Sequence, residues 1–161
     1  MSTSEIRIMT RSPQDTFRLG EILGKHLTAP AFIGLSGPLG AGKTLLAKAI
    51  AQGLGHNPKE VHSPTFTIMN IYEGAKRMYH FDFYRLDSPG DFDCLGLEEF
   101  FYDPRAVVLV EWAEKCQDLI PENALIIHLE FGESENDRLI TLSAFGEKAE
   151  KVLKHHEFAR I

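Results

Sequence analysis

The chain has 161 residues, 43% of them hydrophobic and 25% charged, with a formal net charge of -6. That length predicts a single domain with a core of its own, and the absence of repeats, linkers or low-complexity stretches adds no second one. The acidic balance excludes a chain that grips RNA or DNA by itself, because phosphate backbones need clustered Lys and Arg; any RNA-related role is expected to be indirect.

No apolar run approaches the ~18 residues of a membrane span, and the polar start is unlike a secretory signal, so the expected compartment is the cytoplasm. Cys94 and Cys116 form neither a C-x-x-C pair nor a zinc pattern and are expected to be ordinary reduced thiols. Glu5 to Met9 alternates polar and apolar residues like a strand with one wet face. Ser12-Pro13-Gln14-Asp15 has the chemistry of a helix start, with Ser12 as cap. Phe17, Leu19, Ile22, Leu23 and Leu27 then fall on one buried stripe, and Pro30 lies beyond the helix end.

Ala31 to Ser36 is a short apolar run suited to a buried parallel strand. It leads into Gly37-Pro38-Leu39-Gly40-Ala41-Gly42-Lys43-Thr44, which matches G-x-x-x-x-G-K-[ST] at every fixed position. Glycines there let backbone N–H groups close around an oxyanion at the positive end of the following helix. The helix is expected over Thr44 to Leu54, ended by Gly55. The predicted nucleotide cradle runs through Leu39, Gly40, Ala41, Gly42, Lys43, Thr44 and Leu45. Lys43 is placed to reach the β- and γ-phosphates of a nucleoside triphosphate, and the Thr44 hydroxyl to ligate Mg²⁺.

After the breaker Gly55-His56-Asn57-Pro58, a hydroxyl-rich segment, Ser63 to Thr67, precedes a hairpin signal. The first strand is Ile68 to Tyr72, the turn is Glu73-Gly74, and the second strand spans Arg77 to Arg85. Period two sends Tyr79, Phe81 and Phe83 to one face and His80, Asp82 and Tyr84 to the other. On an arbitrary edge strand Asp82 and His80 would simply face solvent. Behind a P-loop, a carboxylate is needed near the Mg²⁺ or the attacking water, and Asp82 is expected to supply it. Ser63, Thr65 and Thr67 are either turn chemistry or a switch loop that closes on the γ-phosphate.

Asp87-Ser88-Pro89-Gly90 is a turn, and Asp91 to Tyr102 predicts short helices broken at Gly96. The acidic residues Asp91, Asp93, Glu98, Glu99 and Asp103 suit a solvated face better than a metal site, with a docking surface as the alternative. Ala106 to Val110 is a second buried strand ending in Glu111-Trp112. A carboxylate at the carboxyl end of such a strand faces the P-loop, where Glu111 is expected to take a place around Mg²⁺ or to orient water. Trp112 either packs or meets the ligand. Ala124 to Phe131 and Arg138 to Ala144 alternate like paired strands, and Glu147 to Phe158 suits a C-terminal amphipathic helix. His128 is expected to be structural, and His155 and His156 lack the spacing of a metal site.

Four clusters in this order resemble one family closely, the bacterial tRNA threonylcarbamoyladenosine biosynthesis ATPases, TsaE (also called YjeE). They are the loop Gly37 to Thr44, the S-P-T-F-T segment Ser63 to Thr67, the H-F-D-x-Y-R-L strand His80 to Leu86, and the V-E-W strand end Val110 to Trp112. The resemblance implies an α/β, three-layer P-loop NTPase-like fold, with helices on both faces of a mixed sheet whose parallel core carries added antiparallel strands. It implies weak ATP hydrolysis that becomes useful with the TsaD–TsaB heterodimer, in support of threonylcarbamoylation of adenosine 37 of tRNA. By position it implies that Lys43 binds phosphate, that Thr44 and Glu111 hold Mg²⁺, that Asp82 acts at metal or water, and that Thr65 with Thr67 form the switch loop.

Two other functional classes share the P-loop. A small-molecule kinase needs cationic groups over the transferring phosphoryl, but only Arg77, Arg85 and Arg105 lie between the loop and Glu111, so an Arg-rich lid is hard to find. A non-hydrolysing nucleotide-binding module needs neither Asp82 nor Glu111. No [NT]-K-x-D run points to guanine.

Overall fold

The fold is a computed structural model that describes residues 3–64, 67–155, 157, 158 and 161. Strand β1 (Thr3–Thr10) alternates exposed and half-buried residues, as a sheet edge with one wet face requires. Helix α1 (Pro13–His26) opens as its sequence dictates, with Pro13 in the first turn and the Ser12 hydroxyl accepting the Asp15 N–H at 3.1 Å. Leu19, Ile22, Leu23 and Leu27 are buried, while Phe17 is half-buried at the margin of the stripe.

Strand β2 (Ala31–Ser36) is followed by α2 (Lys43–Gly53), which starts at Lys43 instead of Thr44. The expected hairpin forms from β3 (Met69–Tyr72) and β4 (Arg77–Asp82), antiparallel with Met69 opposite Phe81. Strand β4 stops three residues short of Arg85, because the Asp82 Oδ1 accepts the Tyr84 N–H at 2.9 Å and turns the chain. Helices α3 (Pro89–Asp93) and α4 (Leu97–Phe101) are separated at Gly96, whose φ of 61° is left-handed.

Strand β5 (Ala106–Glu111) is buried along its whole length and leads into a 3₁₀ segment, Ala113–Leu119. Strands β6 (Ala124–Phe131) and β7 (Arg138–Phe145) pair antiparallel, and α5 (Glu147–Leu153) ends five residues before the expected Phe158.

The seven strands form one sheet in the order β1-β7-β6-β2-β5-β4-β3. Pairing is parallel across β6, β2, β5 and β4, and antiparallel at both margins, which is the mixed sheet expected. Helices cover both faces. One core joins Leu19, Leu23, Leu46 and Ile50 of α1 and α2 to Ile33, Leu35, Leu109 and Ile127 of the sheet. The other joins Phe81, Val108 and Val110 to Phe92 and Phe101 of α3 and α4, with Phe81 edge-on to Phe101 at 5.4 Å.

Helices α1 and α2 run together at very close range. A Cβ on Gly24 would stand 2.1 Å from the Ile50 carbonyl oxygen, and one on Gly53 would stand 2.2 Å from that of Glu21. Four of the acidic residues between Asp91 and Glu99 are solvated as expected, but Asp103 is buried. Its carboxylate accepts the Tyr79 hydroxyl at 2.5 Å and the Arg105 N–H at 2.9 Å.

Candidate functional site

The candidate site forms where β2, β5 and β4 end side by side. Leu35 is in register with Glu111, and Glu111 with Asp82, so the two carboxylates terminate neighbouring parallel strands just beyond the loop that leaves β2. Carboxyl ends of parallel strands are where open α/β sheets bind ligands.

The loop's shape depends on its glycines at two points. Gly37 has φ 137°, and a Cβ there would sit 2.4 Å from the Leu129 carbonyl oxygen. Gly42 caps α2 at φ 108°, a conformation a side chain would strain, and its carbonyl accepts the Leu46 N–H at 2.9 Å. From across the sheet, Arg138 Nε donates to the Ala41 carbonyl at 3.0 Å, and Glu114 Oε2 accepts the Gly37 N–H at 3.2 Å. Neither residue was found from the sequence, because both arrive from positions distant in the chain and belong to no motif.

Lys43 is 5% exposed, and its ammonium donates to the carbonyls of Gly37 at 2.6 Å and Pro38 at 2.9 Å. It also stands 3.9 Å from the centre of the Trp112 ring. Trp112 adopts φ 62°, a left-handed conformation that is costly for an aromatic residue. That turn lays its ring over the lysine. Burial pulls the ammonium below its ordinary pKa, and the carboxylates of Glu114, Glu111 and Asp82 oppose that shift.

Glu111 is 2% exposed and held at both oxygens. The Thr44 hydroxyl donates to Oε1 at 2.7 Å, and His80 Nε2 lies 2.7 Å from Oε2. His80 is completely buried, and among the described residues its Nδ1 has no partner, so its proton belongs on Nε2. The period-two reading of β4 had already placed His80 and Asp82 on this face. Asp82 accepts from the Ser63 hydroxyl through Oδ2 and from the Tyr84 N–H through Oδ1.

One cavity of about 430 Å³ is lined by Leu39, Gly40, Gly42, Lys43, Thr44, Leu45, Ser63, Asp82, Tyr84, Glu111 and Trp112. The structure therefore brings together almost every residue singled out from the sequence. Ala41 is buried beneath the loop, where its carbonyl is taken by Arg138. Thr67 does not line the cavity. It is exposed, and its hydroxyl faces Asn70 at 3.4 Å. Thr65 lies outside the described residues. Ser63, named only as part of the loop, and Tyr84, named only for its face of the strand, are cavity walls.

The oxygens around this cavity, a hydroxyl and two carboxylates, are the hard donors that Mg²⁺ takes. Cis ligands of an octahedral Mg²⁺ stand about 3 Å apart at ~2.1 Å bond lengths. The 2.7 Å between Thr44 Oγ1 and Glu111 Oε1 is close to that edge, so the residues fit such an ion.

Comparison with known proteins agrees with this geometry. The family model described as Threonylcarbamoyl adenosine biosynthesis protein TsaE matches residues 10–140. The chain belongs to the TsaE family. A TsaE protein of Treponema pallidum is 40% identical over 124 residues, covering 77% of this chain and 90% of that one. A TsaE protein of Bacillus subtilis is 34% identical over 149 residues, covering 92% and 91%. The crystal structure of Bacillus subtilis YdiB superposes with a TM-score of 0.80 at 30% identity, over 99% of this chain and 97% of that one. The fold is thus the P-loop NTPase-like fold of TsaE, and the resemblance read from the four sequence clusters is borne out. Among the described residues no helix is long and apolar enough to cross a membrane.

Proposed function

We propose that this chain is a Mg²⁺-dependent ATPase of the cytoplasm that supports formation of N6-threonylcarbamoyladenosine at position 37 of tRNA, acting with the TsaD–TsaB heterodimer. The relatives at 34–40% identity are named as tRNA threonylcarbamoyladenosine biosynthesis proteins, which supports the pathway. The observation that carries the activity is the convergence of the P-loop with Asp82 and Glu111 in one cavity.

The loop amides and Lys43 receive the triphosphate, whose oxygens replace the Gly37 and Pro38 carbonyls as partners of the ammonium. Thr44 and Glu111 would hold Mg²⁺, and Asp82 would act at the metal or at the water. When bound, the ion offsets charge on the β- and γ-phosphate oxygens. His80 fixes one Glu111 oxygen so that the other faces Thr44. In the net reaction water adds to the γ-phosphorus, the bond to the bridging oxygen breaks, and ADP and inorganic phosphate leave. The acidic chain contacts tRNA only through its partners.

The test is phosphate release from ATP by the purified chain, with and without TsaD–TsaB. Slow Mg²⁺-dependent release that rises with the partners is expected. ADP formation that requires a small-molecule acceptor and yields a phosphorylated acceptor in place of free phosphate would make the chain a kinase, and nucleotide binding without ADP formation under any of these conditions would make it a binding module.

A further inference from the structure

The C-terminal end of α1 carries a second cluster that the ATPase reading does not use. His26 is the last residue of α1, and His155 and Glu157 come from the chain beyond α5. One ligand atom from each lies within 4.8 Å of the other two. The His26 and His155 rings stack at 3.5 Å and 16°, and His26 Nε2 meets Glu157 Oε1 at 2.8 Å. From the sequence His155 lacked metal spacing, because the ring it meets, His26, lies 129 positions earlier in the chain.

We propose that His26, His155 and Glu157 form a binding site for a late first-row divalent ion, with Zn²⁺ favoured, that ties the C-terminal segment to α1. Two imidazoles and a carboxylate are borderline donors that suit zinc far better than Mg²⁺. Three protein ligands leave a fourth position for water. A tetrahedral Zn²⁺ at ~2.0–2.1 Å needs its ligand atoms about 3.3 Å apart. The His26–Glu157 contact must therefore open by about half an ångström, and the wider pairs must close by about 1.5 Å at most, which side-chain rotation supplies once the stacked rings splay.

The surroundings permit this. The side chains of His26 and Glu157 are 16% and 30% exposed and His155 is exposed, so an ion reaches the site from solvent. A helix C-terminus favours a cation. Lys25 opposes the ion, as does Arg18 on the same stretch of α1, while Glu21 balances one of these charges.

The site is separate from the nucleotide cavity. Gly24 of α1 packs on Ile50 and Gly53 near the C-terminal end of α2, and the P-loop lies at the other end of that helix, about 16 Å away for 11 residues. The site would thus tie the C-terminal segment to α1 without touching phosphate.

The test is titration of the full chain with Zn²⁺, and with Co²⁺ as a visible probe, in excess Mg²⁺. The proposal expects one bound equivalent, a tetrahedral Co²⁺ spectrum, and a rise of several degrees in Tm with Zn²⁺. His155→Ala and Glu157→Gln are each expected to weaken binding at least tenfold and to abolish the Tm rise. His155 is exposed and Gln matches the shape of Glu, so neither change threatens folding. Equal binding by parent and variants would overturn the proposal, leaving only an imidazole–carboxylate contact. Loss of the bound equivalent in Glu111→Gln would overturn it too, by placing the ion in the nucleotide cavity.

Discussion

Replacing Glu111 by Gln and by Ala separates what this residue does for the fold from what it does for the reaction. In the parent, Oε1 accepts from Thr44 and Oε2 from His80, each at 2.7 Å. Gln keeps both contacts: its carbonyl accepts from His80 Nε2, and its amide donates to the Thr44 hydroxyl, which rotates to accept. Only the charge is lost, at about 1 kcal/mol of stability. Ala removes the acceptor altogether. His80 is fully buried and, among the described residues, Nδ1 already lacks a partner, so Nε2 becomes a second unpaired ring nitrogen. One buried unsatisfied donor costs about 1–3 kcal/mol, and the space left by the side chain adds about 1 more. With ~2–4 °C per kcal/mol for a domain of this size, Tm should fall by about 2–4 °C for Gln and about 5–15 °C for Ala. Hydrolysis should drop ~10²–10³-fold in both, equivalent to about 2.7–4 kcal/mol of lost transition-state stabilisation. The assays are thermal unfolding and Mg²⁺-dependent phosphate release at saturating ATP. Parental turnover by Glu111→Gln would refute its place at the ion. Equal stability of the two variants would refute the account of His80.

Four other substitutions probe the site, the helix contact and the second core. Lys43→Ala should weaken ATP binding as well as turnover, whereas Asp82→Ala should spare binding within about tenfold and lower the hydrolysis rate; parental turnover by Asp82→Ala would show that its assignment is wrong. Gly53→Ala sets a methyl group 2.2 Å from the Glu21 carbonyl oxygen and 2.7 Å from the Lys25 nitrogen, both main-chain atoms. Despite its better helix propensity it should destabilise by about 1–3 kcal/mol in urea unfolding, and a neutral result would mean that α1 and α2 are less tightly apposed. The Asp103 carboxyl is held at about 2 rather than 3.8, chiefly by the Tyr79 hydroxyl. A depressed folded-state value stabilises above the unfolded one, so this contribution is complete above pH ~4 and lost as pH falls to ~2. Asp103→Asn should accordingly show a shallower loss of stability over that window, measured against the parent.

What the sequence disclosed and what it hid follow one physical division. Local chemistry was legible. Ser12 caps α1, Gly96 parts α3 from α4, and the loop between β2 and α2 has the conformation its glycines allow. The meeting of Asp82 with Glu111 was legible as well, because period two fixes a face and a strand end fixes a position. Contacts set by packing between distant segments were not. Arg138 reaches Ala41 across 97 positions, and Glu114 reaches Gly37 across 77. Asp103 resembled the acidic residues around it, yet Tyr79 and Arg105 draw it inside. The C-terminal helix ends early at Leu153, and His155 then stacks on a ring 129 positions away. A helical period in the sequence carries no sign of such a partner.

The most direct measurement of the central claim is a crystal structure of the chain with Mg²⁺ and a non-hydrolysable ATP analogue. The account predicts the triphosphate against the amides of Gly40 to Thr44, the Lys43 ammonium withdrawn from the Gly37 and Pro38 carbonyls, and Mg²⁺ between the Thr44 hydroxyl and Glu111, with Asp82 facing the same cavity. Nucleotide bound elsewhere, or Lys43 still on those carbonyls beside a bound triphosphate, would contradict it.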